Sequence, residues 1–171
     1  MRHAYGFTLI EVLITITVMV VLLILAVVSL GGTEARARDE ERVTDMTILS
    51  QQLDNFYTTG SDTSTSVGRY PGTLDIDTEA ELLALLRNID PKILRAPTVQ
   101  TSDPMSLVVA TSNSKTTPIA STITTSTYIY QPLTSSGALC TSMVTGQCRK
   151  FNLYYMLENN TVLQIQASKY Q

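Results

Sequence analysis

The sequence has little histidine, no tryptophan and only two cysteines. Its single histidine is His3, at the very start, which excludes Ser-His-Asp and Cys-His catalysis and histidine-based zinc sites from the rest of the chain. Cys140 and Cys148 are too few for a four-cysteine metal site. Basic residues number 12 against 15 acidic ones, and a net charge of −3 is unlike the basic face of a general nucleic-acid-binding protein. The composition therefore argues against an enzyme and for a membrane-anchored structural or binding protein, with no metal or cofactor expected.

Apolar residues are concentrated in one run of 24 residues, from Phe7 to Leu30. As a helix this run would be about 36 Å long, enough to cross a hydrocarbon core of roughly 30 Å. A cleaved secretory signal peptide is disfavoured, because its apolar core would be about 7–15 residues long and would end at an Ala-x-Ala-like site. The run therefore predicts a membrane anchor near the N-terminus.

Glu11 lies inside this apolar run, where a carboxylate costs a few kcal/mol. No Lys or Arg lies between Phe7 and Leu30, so the partner of Glu11 must be a terminal amine, another chain or a proton. The alternative is a side chain that reaches the lipid headgroups, since Glu11 is near the start of the run.

The residues around Glu11 form an N-terminal pattern: a short leader with the positive charge of Arg2, a Gly6-Phe7 junction, a glutamate four positions later and a long apolar helix. This pattern resembles the class III signal sequence of type IV prepilins and type II secretion pseudopilins. The resemblance implies that a membrane-bound prepilin peptidase cuts between Gly6 and Phe7 on the cytoplasmic side, and that the new amino group of Phe7 is methylated. It also implies that Glu11 pairs with the Phe7 amine of a neighbouring subunit in a filament core.

The same resemblance divides the chain into three segments. Residues 1–6 are the leader peptide, residues 7–32 the transmembrane and filament-core helix, and residues 33–171 an amphipathic helix stem with a globular α+β pilin head. Many family members have a proline late in the apolar helix, and this chain has none there. Any kink or local melting is expected at Ser29–Gly32, because each glycine costs up to about 1 kcal/mol relative to alanine.

A helical pattern continues from Thr33 to about Tyr57. Its charges are spaced to form surface pairs such as Arg42–Asp45. Its apolar residues predict a stripe that packs on a globular domain: Val43, Met46, Leu49, Leu53, Phe56 and Tyr57. Ile48 projects away from this stripe, either as a subunit contact or as an ordinary exposed apolar residue.

A polar loop is expected from Thr58 to Gly68, followed by a Tyr70-Pro71 pair that is similar to pilins. Thr78 and Glu81 have capping-box spacing, which predicts a short helix over residues 79–88. The acidic residues near its start fit the helix dipole better than a calcium site, because their spacing is not that of an EF-hand loop.

The C-terminal half has the patterns of β-strands. Residues 106–110 and 127–131 predict two strands, alternation over 151–157 predicts a half-buried third, and residues 163–167 complete a C-terminal hairpin. The Ser/Thr-rich stretch 111–127 predicts an exposed loop. The expected fold class is α+β and pilin-like, with a long N-terminal helix packed on a small antiparallel β-sheet head.

Cys140 and Cys148 enclose seven residues. A disulfide between them would close a loop of about nine residues and stabilise the domain by roughly 2–3 kcal/mol. Such a bond persists in an oxidising space, whereas two free thiols are expected in a cytosolic domain. A C-terminal disulfide loop is common in pilins, so the resemblance adds to the case for the bond.

The leading functional interpretation is a structural subunit of a type IV pilus-like filament. The precursor would be a single-pass inner-membrane protein, and the mature chain a homopolymer at the cell surface. The implied partners are the prepilin peptidase, the inner-membrane assembly platform and its ATPase. The alternatives are a type II secretion pseudopilin, a minor or competence pilin that acts as a tip binding module, and a plain anchored protein. The only basic pair in the head is Arg149-Lys150, so direct nucleic-acid binding is not expected.

Overall fold

The computed structural model describes residues 7–60 and 66–170, with the backbone alone at 28–31. The first element is a helix of 51 residues, α1 (Leu9–Thr59). The chain divides into two compact units, one up to Ala37 and the other from Arg38 onward. The leader at 1–6 and part of the predicted loop at 58–68 lie outside the described residues.

The first unit contains the apolar part of α1. Every side chain from Phe7 to Val27 is exposed, although nearly all are large and apolar. By its length and composition, α1 qualifies as a candidate membrane span, and nothing in this part of the chain buries it. A helix suits such a surface because it satisfies its own backbone hydrogen bonds.

The second unit contains the amphipathic part of α1. Most of the predicted stripe is confirmed, because Met46, Leu49, Leu53 and Phe56 are buried. Val43 is 41% exposed, so its predicted place in the stripe is wrong. Arg42 takes that position, one turn before Met46, and is fully buried. The helix ends where Gly60 adopts a left-handed conformation (φ 71°) and donates its N–H to Phe56 O.

Tyr70-Pro71 connects α1 to the sheet. The Tyr70 hydroxyl donates to Asp54 Oδ1 on α1 at 2.7 Å. The Pro71 carbonyl accepts a hydrogen bond from the hydroxyl of Tyr130, a strand residue, at 2.8 Å. Both tyrosines are fully buried, so these bonds satisfy polar atoms that would otherwise be costly.

A second helix, α2 (Glu79–Leu85), begins with the predicted capping box between Thr78 and Glu81. It is shorter than predicted, because Leu86 leaves the helical conformation and is buried. Asn88, the predicted end, instead has a left-handed backbone (φ 57°). A 3₁₀ turn over Pro91–Leu94, which the sequence analysis did not predict, begins at the capping residue Asp90.

The sheet has four strands in the order β1 (Leu107–Val109), β2 (Tyr128–Thr134), β3 (Cys148–Tyr155) and β4 (Gln164–Ala167). The α+β fold class is confirmed. The sheet is mixed, however, because β1 pairs with β2 in parallel, while the other two pairings are antiparallel. The connection over 110–127 is long enough to return the chain to the start of a parallel strand.

Strand β3 is buried on both faces rather than half-buried as predicted. Phe151, Leu153 and Tyr155 belong to the main core. On the other face, Tyr154 lies in a smaller cluster to which the predicted exposed loop contributes Ile119 and Ile123. The Ser/Thr-rich stretch therefore covers part of the sheet.

A polar network fixes that covering loop to the sheet. The Gln131 side chain is fully buried, and its Nε2 donates to the carbonyls of Ser112 (2.8 Å) and Ser114 (3.0 Å). Its Oε1 accepts from Asn152 Nδ2 (2.9 Å) and from the Tyr154 hydroxyl (2.7 Å). Every buried polar atom of this glutamine thus has a partner, as a stable buried amide requires.

The C-terminal hairpin forms as predicted, with β4 antiparallel to β3 at the edge of the sheet. Its register sets Ile165 opposite Tyr154 and Ala167 opposite Asn152. Ile165 is still 48% exposed, because the smaller cluster does not extend over the edge strand.

Cys140 and Cys148 form a disulfide with a Cα–Cα separation of 5.5 Å. The loop is tightly packed, because a Cβ at Gly146 would lie 2.7 Å from Cys140 Sγ. The Cys148 carbonyl accepts a hydrogen bond from Tyr70 N–H at 2.9 Å. The disulfide loop is therefore joined to the segment that follows α1.

Candidate assembly site

Glu11 lies in the first turn of α1. Thr8, just before the helix, accepts the Glu11 N–H at its hydroxyl (3.3 Å) and at its carbonyl (3.1 Å). This capping contact was missed in the sequence analysis, although Thr8 and Glu11 have the spacing of a capping box. The contact fixes the backbone of Glu11 at the helix start.

Two hydroxyls in the apolar stretch, those of Thr15 and Thr17, are satisfied by the helix itself. Thr15 Oγ1 donates to Val12 O at 2.8 Å. Thr17 Oγ1 donates to Leu13 O at 3.0 Å and to Ile14 O at 2.8 Å. Such bonds let threonine enter an apolar environment without an unsatisfied donor.

The carboxylate of Glu11 differs from these hydroxyls in its hydrogen bonding. Within the described residues it is exposed and has no hydrogen bond or ion pair. Phe7, four residues earlier, is 80% exposed. Gly6 lies outside the described residues. Glu11 is thus the one ionisable side chain in an otherwise apolar and internally satisfied helical segment.

Residues 1–33 match the family model of the prokaryotic N-terminal methylation motif. The chain contains a class III prepilin signal. Neither the curated proteins nor the solved structures contain a match to this chain.

The prepilin signal includes Gly6, Phe7 and Glu11 and ends next to Gly32. It supports a precursor of the type IV pilin or pseudopilin kind, which is a structural rather than an enzymatic family. It implies processing by a prepilin peptidase and assembly into a pilus or pseudopilus. Together with the exposed apolar helix, it fits a membrane-anchored precursor.

Beyond the prepilin signal, an ion cluster joins α1 to the end of β3 in the second unit. The Arg42 guanidinium donates to Asp39 Oδ1 (2.9 Å), to Glu158 Oε1 (2.7 Å) and to the Thr125 carbonyl (3.0 Å). Arg38 makes a two-point contact with Glu158 at 2.9 and 2.7 Å. The predicted Arg42–Asp45 pair is therefore wrong, because Arg42 binds Asp39 on the preceding turn and two partners far away in sequence.

The ion cluster lowers the pKa of both its carboxyl groups, Asp39 and Glu158. Hydrogen bonds from Arg38 and Arg42 lower the pKa of Glu158 to about 2. Burial raises the pKa of Asp39, but hydrogen bonds from the backbone N–H groups of Glu158 and Asn159 outweigh it, and the net pKa is lowered. Both groups are therefore ionised at neutral pH and hold the turn after β3 against α1.

Asp45 lies one turn further along α1, and its pKa is shifted in the opposite direction. Burial, with a smaller contribution from the nearby charge of Glu41, raises the pKa of Asp45 to about 7. The Tyr128 hydroxyl donates to Asp45 Oδ2 at 3.4 Å, which offsets part of the cost. Asp45 is thus a buried carboxyl that titrates near neutrality.

Three of the four acidic residues that could suggest calcium, namely Asp75, Glu79 and Glu81 but not Asp77, have other partners. Glu81 completes the capping box of α2, and Glu79 forms a two-point ion pair with Arg95 at 2.9 and 2.7 Å. Asp75 Oδ2 accepts the backbone N–H groups of Gly72 and Met143, each at 2.7 Å. In the described part of the chain, no cluster of three or more His, Cys, Asp or Glu residues could hold a metal.

Proposed function

We propose that this protein is a structural subunit of a type IV pilus-like filament. Prepilin peptidase cuts the precursor between Gly6 and Phe7, and the new amino group of Phe7 is methylated. The helix over 7–32 then leaves the bilayer and packs in the filament core, while residues 33–171 form the stem and head.

The observation that supports this proposal most is an exposed apolar helix inside a prepilin signal, with one carboxylate that has no partner among the described residues. Moving apolar side chains from lipid to a helix bundle gives little hydrophobic gain, because both environments are apolar. Polar contacts therefore have a large influence on how such helices align. Glu11 is the residue best suited to set the axial register of subunits.

The proposed partner of Glu11 is the amino group of Phe7 in a neighbouring subunit. A carboxylate in an apolar filament core costs several kcal/mol without a partner, and an amine at hydrogen-bond distance offsets that cost. The competing arrangement is a Glu11 side chain that reaches the headgroups of the cytoplasmic leaflet. In that arrangement Glu11 would not be needed for assembly.

A substitution series tests the role of Glu11. Glu11→Gln keeps the shape and removes the charge, and we expect it to abolish filaments while membrane insertion and cleavage persist. Thr17→Ala is the matched control, because the Thr17 hydroxyl donates to carbonyls of its own helix. Normal filaments from Glu11→Gln would refute the pairing.

The first measurement is the intact mass and N-terminal peptide mass of protein from sheared cell-surface material. We expect a chain that begins at methylated Phe7 with Cys140 and Cys148 joined. A chain that begins at Met1 and is found only in membranes would leave a plain anchor. Electron microscopy then separates the remaining roles. Loss of all filaments on deletion indicates a major subunit, loss of one function alone a minor or tip pilin, and loss of protein secretion a pseudopilin.

The proposal also names the assembly partners. Prepilin peptidase acts on residues 1–7, and an inner-membrane platform with its ATPase extracts the helix. The main partner is a second copy of the same chain. The precursor is a single-pass protein of the inner membrane, and the mature chain lies in the extracellular filament.

A further inference from the structure

Three cations line one cleft of the second unit, although the chain as a whole is acidic. Arg149 and Lys150 come from β3, and Lys169 follows β4. The cleft has a volume of about 590 Å³, which is within the range of small-ligand sites. The remaining lining side chains all have hydroxyl groups: Tyr57, Ser135 and Tyr170.

Within the part of the chain that the structure describes, the two lysines of the cleft have no acidic partner. Over residues 7–60 and 66–170, neither Lys150 nor Lys169 forms an ion pair with a carboxylate. Arg149 is held in place, because its Nη1 donates to the Gly68 carbonyl at 2.6 Å. Its other guanidinium N–H groups remain able to donate. Cations that share one cleft repel one another, and a bound anion would relieve that repulsion.

The aromatic rings at this cleft are engaged with one another. Tyr57 stacks on Tyr170 with centroids 4.9 Å apart and contacts Tyr70 at 4.6 Å. The Lys169 ammonium lies over the Tyr170 ring, 5.6 Å from its centroid. Proteins that bind single-stranded nucleic acid use open aromatic faces on which bases stack. This cleft presents charge and hydroxyls instead, so it favours a compact anion over a nucleic acid.

We infer that this cleft binds a phosphate or sulfate group, either free or as an ester of a small ligand. Lys150 and Lys169 supply two ammonium charges, and Arg149 supplies a fixed guanidinium. Cationic N–H donors make short, strong hydrogen bonds to such oxyanions. The inference stands on the second unit alone and does not depend on filament assembly.

The test is calorimetric titration of the full chain in detergent with three probes: inorganic phosphate, glucose 6-phosphate and glucose 6-sulfate. We expect saturable binding at one site per chain. The Lys150→Ala/Lys169→Ala variant should bind about 10-fold or more weakly, because two charge-assisted contacts are lost. Lys115→Ala is the control, since Lys115 is exposed and lies outside the cleft.

A second measurement removes any dependence on the fold of the variants. Amine acetylation of the unsubstituted protein, read by peptide mass spectrometry, should slow at Lys150 and Lys169 when the ligand is present, and not at Lys115. Equal binding of inorganic phosphate and of both esters supports an oxyanion site, and tighter binding of one ester supports a small ligand as its source.

Three results would overturn the inference. The first is that no probe gives saturable heat or protects the lysines from acetylation. The second is that Lys115→Ala weakens binding as much as the Lys150→Ala/Lys169→Ala variant does. The third is that a single-stranded oligonucleotide binds more tightly than the esters. The last result would indicate a nucleic-acid site in place of a small-anion site.

Discussion

Replacing Arg42 by alanine should strongly destabilise the head. Its side chain is fully buried and contacts Asp39, Glu158 and the Thr125 carbonyl together. The substitution removes three hydrogen bonds from a cation and also the packing of its aliphatic stem. The carboxylates keep part of their support, because Arg38 still binds Glu158 and backbone N–H groups still bind Asp39.

The expected cost follows from these contacts. Removing one partner of a buried ion pair typically costs about 3–5 kcal/mol. Because Arg38 and backbone N–H groups still bind the two carboxylates, we expect Arg42→Ala to lower the free energy of unfolding by about 3 kcal/mol, near the lower end of that range. A domain of this size loses roughly 3–5 °C in melting temperature per kcal/mol, so the midpoint should fall by about 10 °C or more.

Thermal unfolding followed by the near-ultraviolet circular dichroism of the buried tyrosines measures this change. Arg38→Ala is the matched control, because its side chain is 32% exposed and binds the same Glu158. A partly exposed pair contributes less than a buried one, about 1 kcal/mol, so the control should shift the midpoint by only a few degrees. Equal shifts for Arg38→Ala and Arg42→Ala would refute the argument from burial.

Two further predictions concern the same unit. Burial raises the pKa of Asp45 from its ordinary 3.8 to about 7 in the folded state, so the stability that its protonated form contributes is lost as pH rises from 3.8 through 7. We expect the free energy of unfolding to fall by about 3 kcal/mol between pH 5 and pH 8 through this group, and Asp45→Asn to remove that dependence. Denaturant titrations at both pH values measure it, and an unchanged pH slope in Asp45→Asn would contradict it. Replacing Cys140 and Cys148 by alanine should lower the free energy of unfolding by about 2–3 kcal/mol in the same titration. A loss of less than about 1 kcal/mol would mean that backbone contacts alone hold the loop.

Local signals in the sequence predicted local structure well. The capping box at Thr78 and Glu81 depends on residues three apart, and it is confirmed. The burial of Met46 and Leu49 follows from helical spacing alone. The disulfide joins cysteines eight positions apart, and the long α1 is visible as a continuous pattern.

Contacts between distant segments could not be predicted in the same way. Arg42 looked like a surface residue because an acidic residue stands three positions away, whereas one of its partners, Glu158, is 116 positions away. One signal was available: Arg42 precedes Met46 by four residues and so falls on the buried stripe. The parallel pairing of β1 depends on where a long connection returns, and no local pattern encodes that.

The candidate assembly site and the basic cleft show the same difference between local and long-range signals. Glu11 stands out in the sequence because a lone acidic residue in an apolar run is energetically costly. That signal can be recognised without knowing which group pairs with Glu11. The basic cleft was not predicted as a site, because two of its cations lie on β3 and the third follows β4, and its two lysines are 19 positions apart. Only the pairing of β3 with β4 brings them together.

The position of Glu158 has a consequence for the order of synthesis. Residues 38–42 of α1 are made at least 116 residues before Glu158, the carboxylate that binds Arg38 and Arg42. A nascent chain that has not reached this residue exposes an arginine without its native counter-charge. The final contacts of the head therefore close only after residue 158 has been made, and a chain truncated before it lacks a group needed to finish folding.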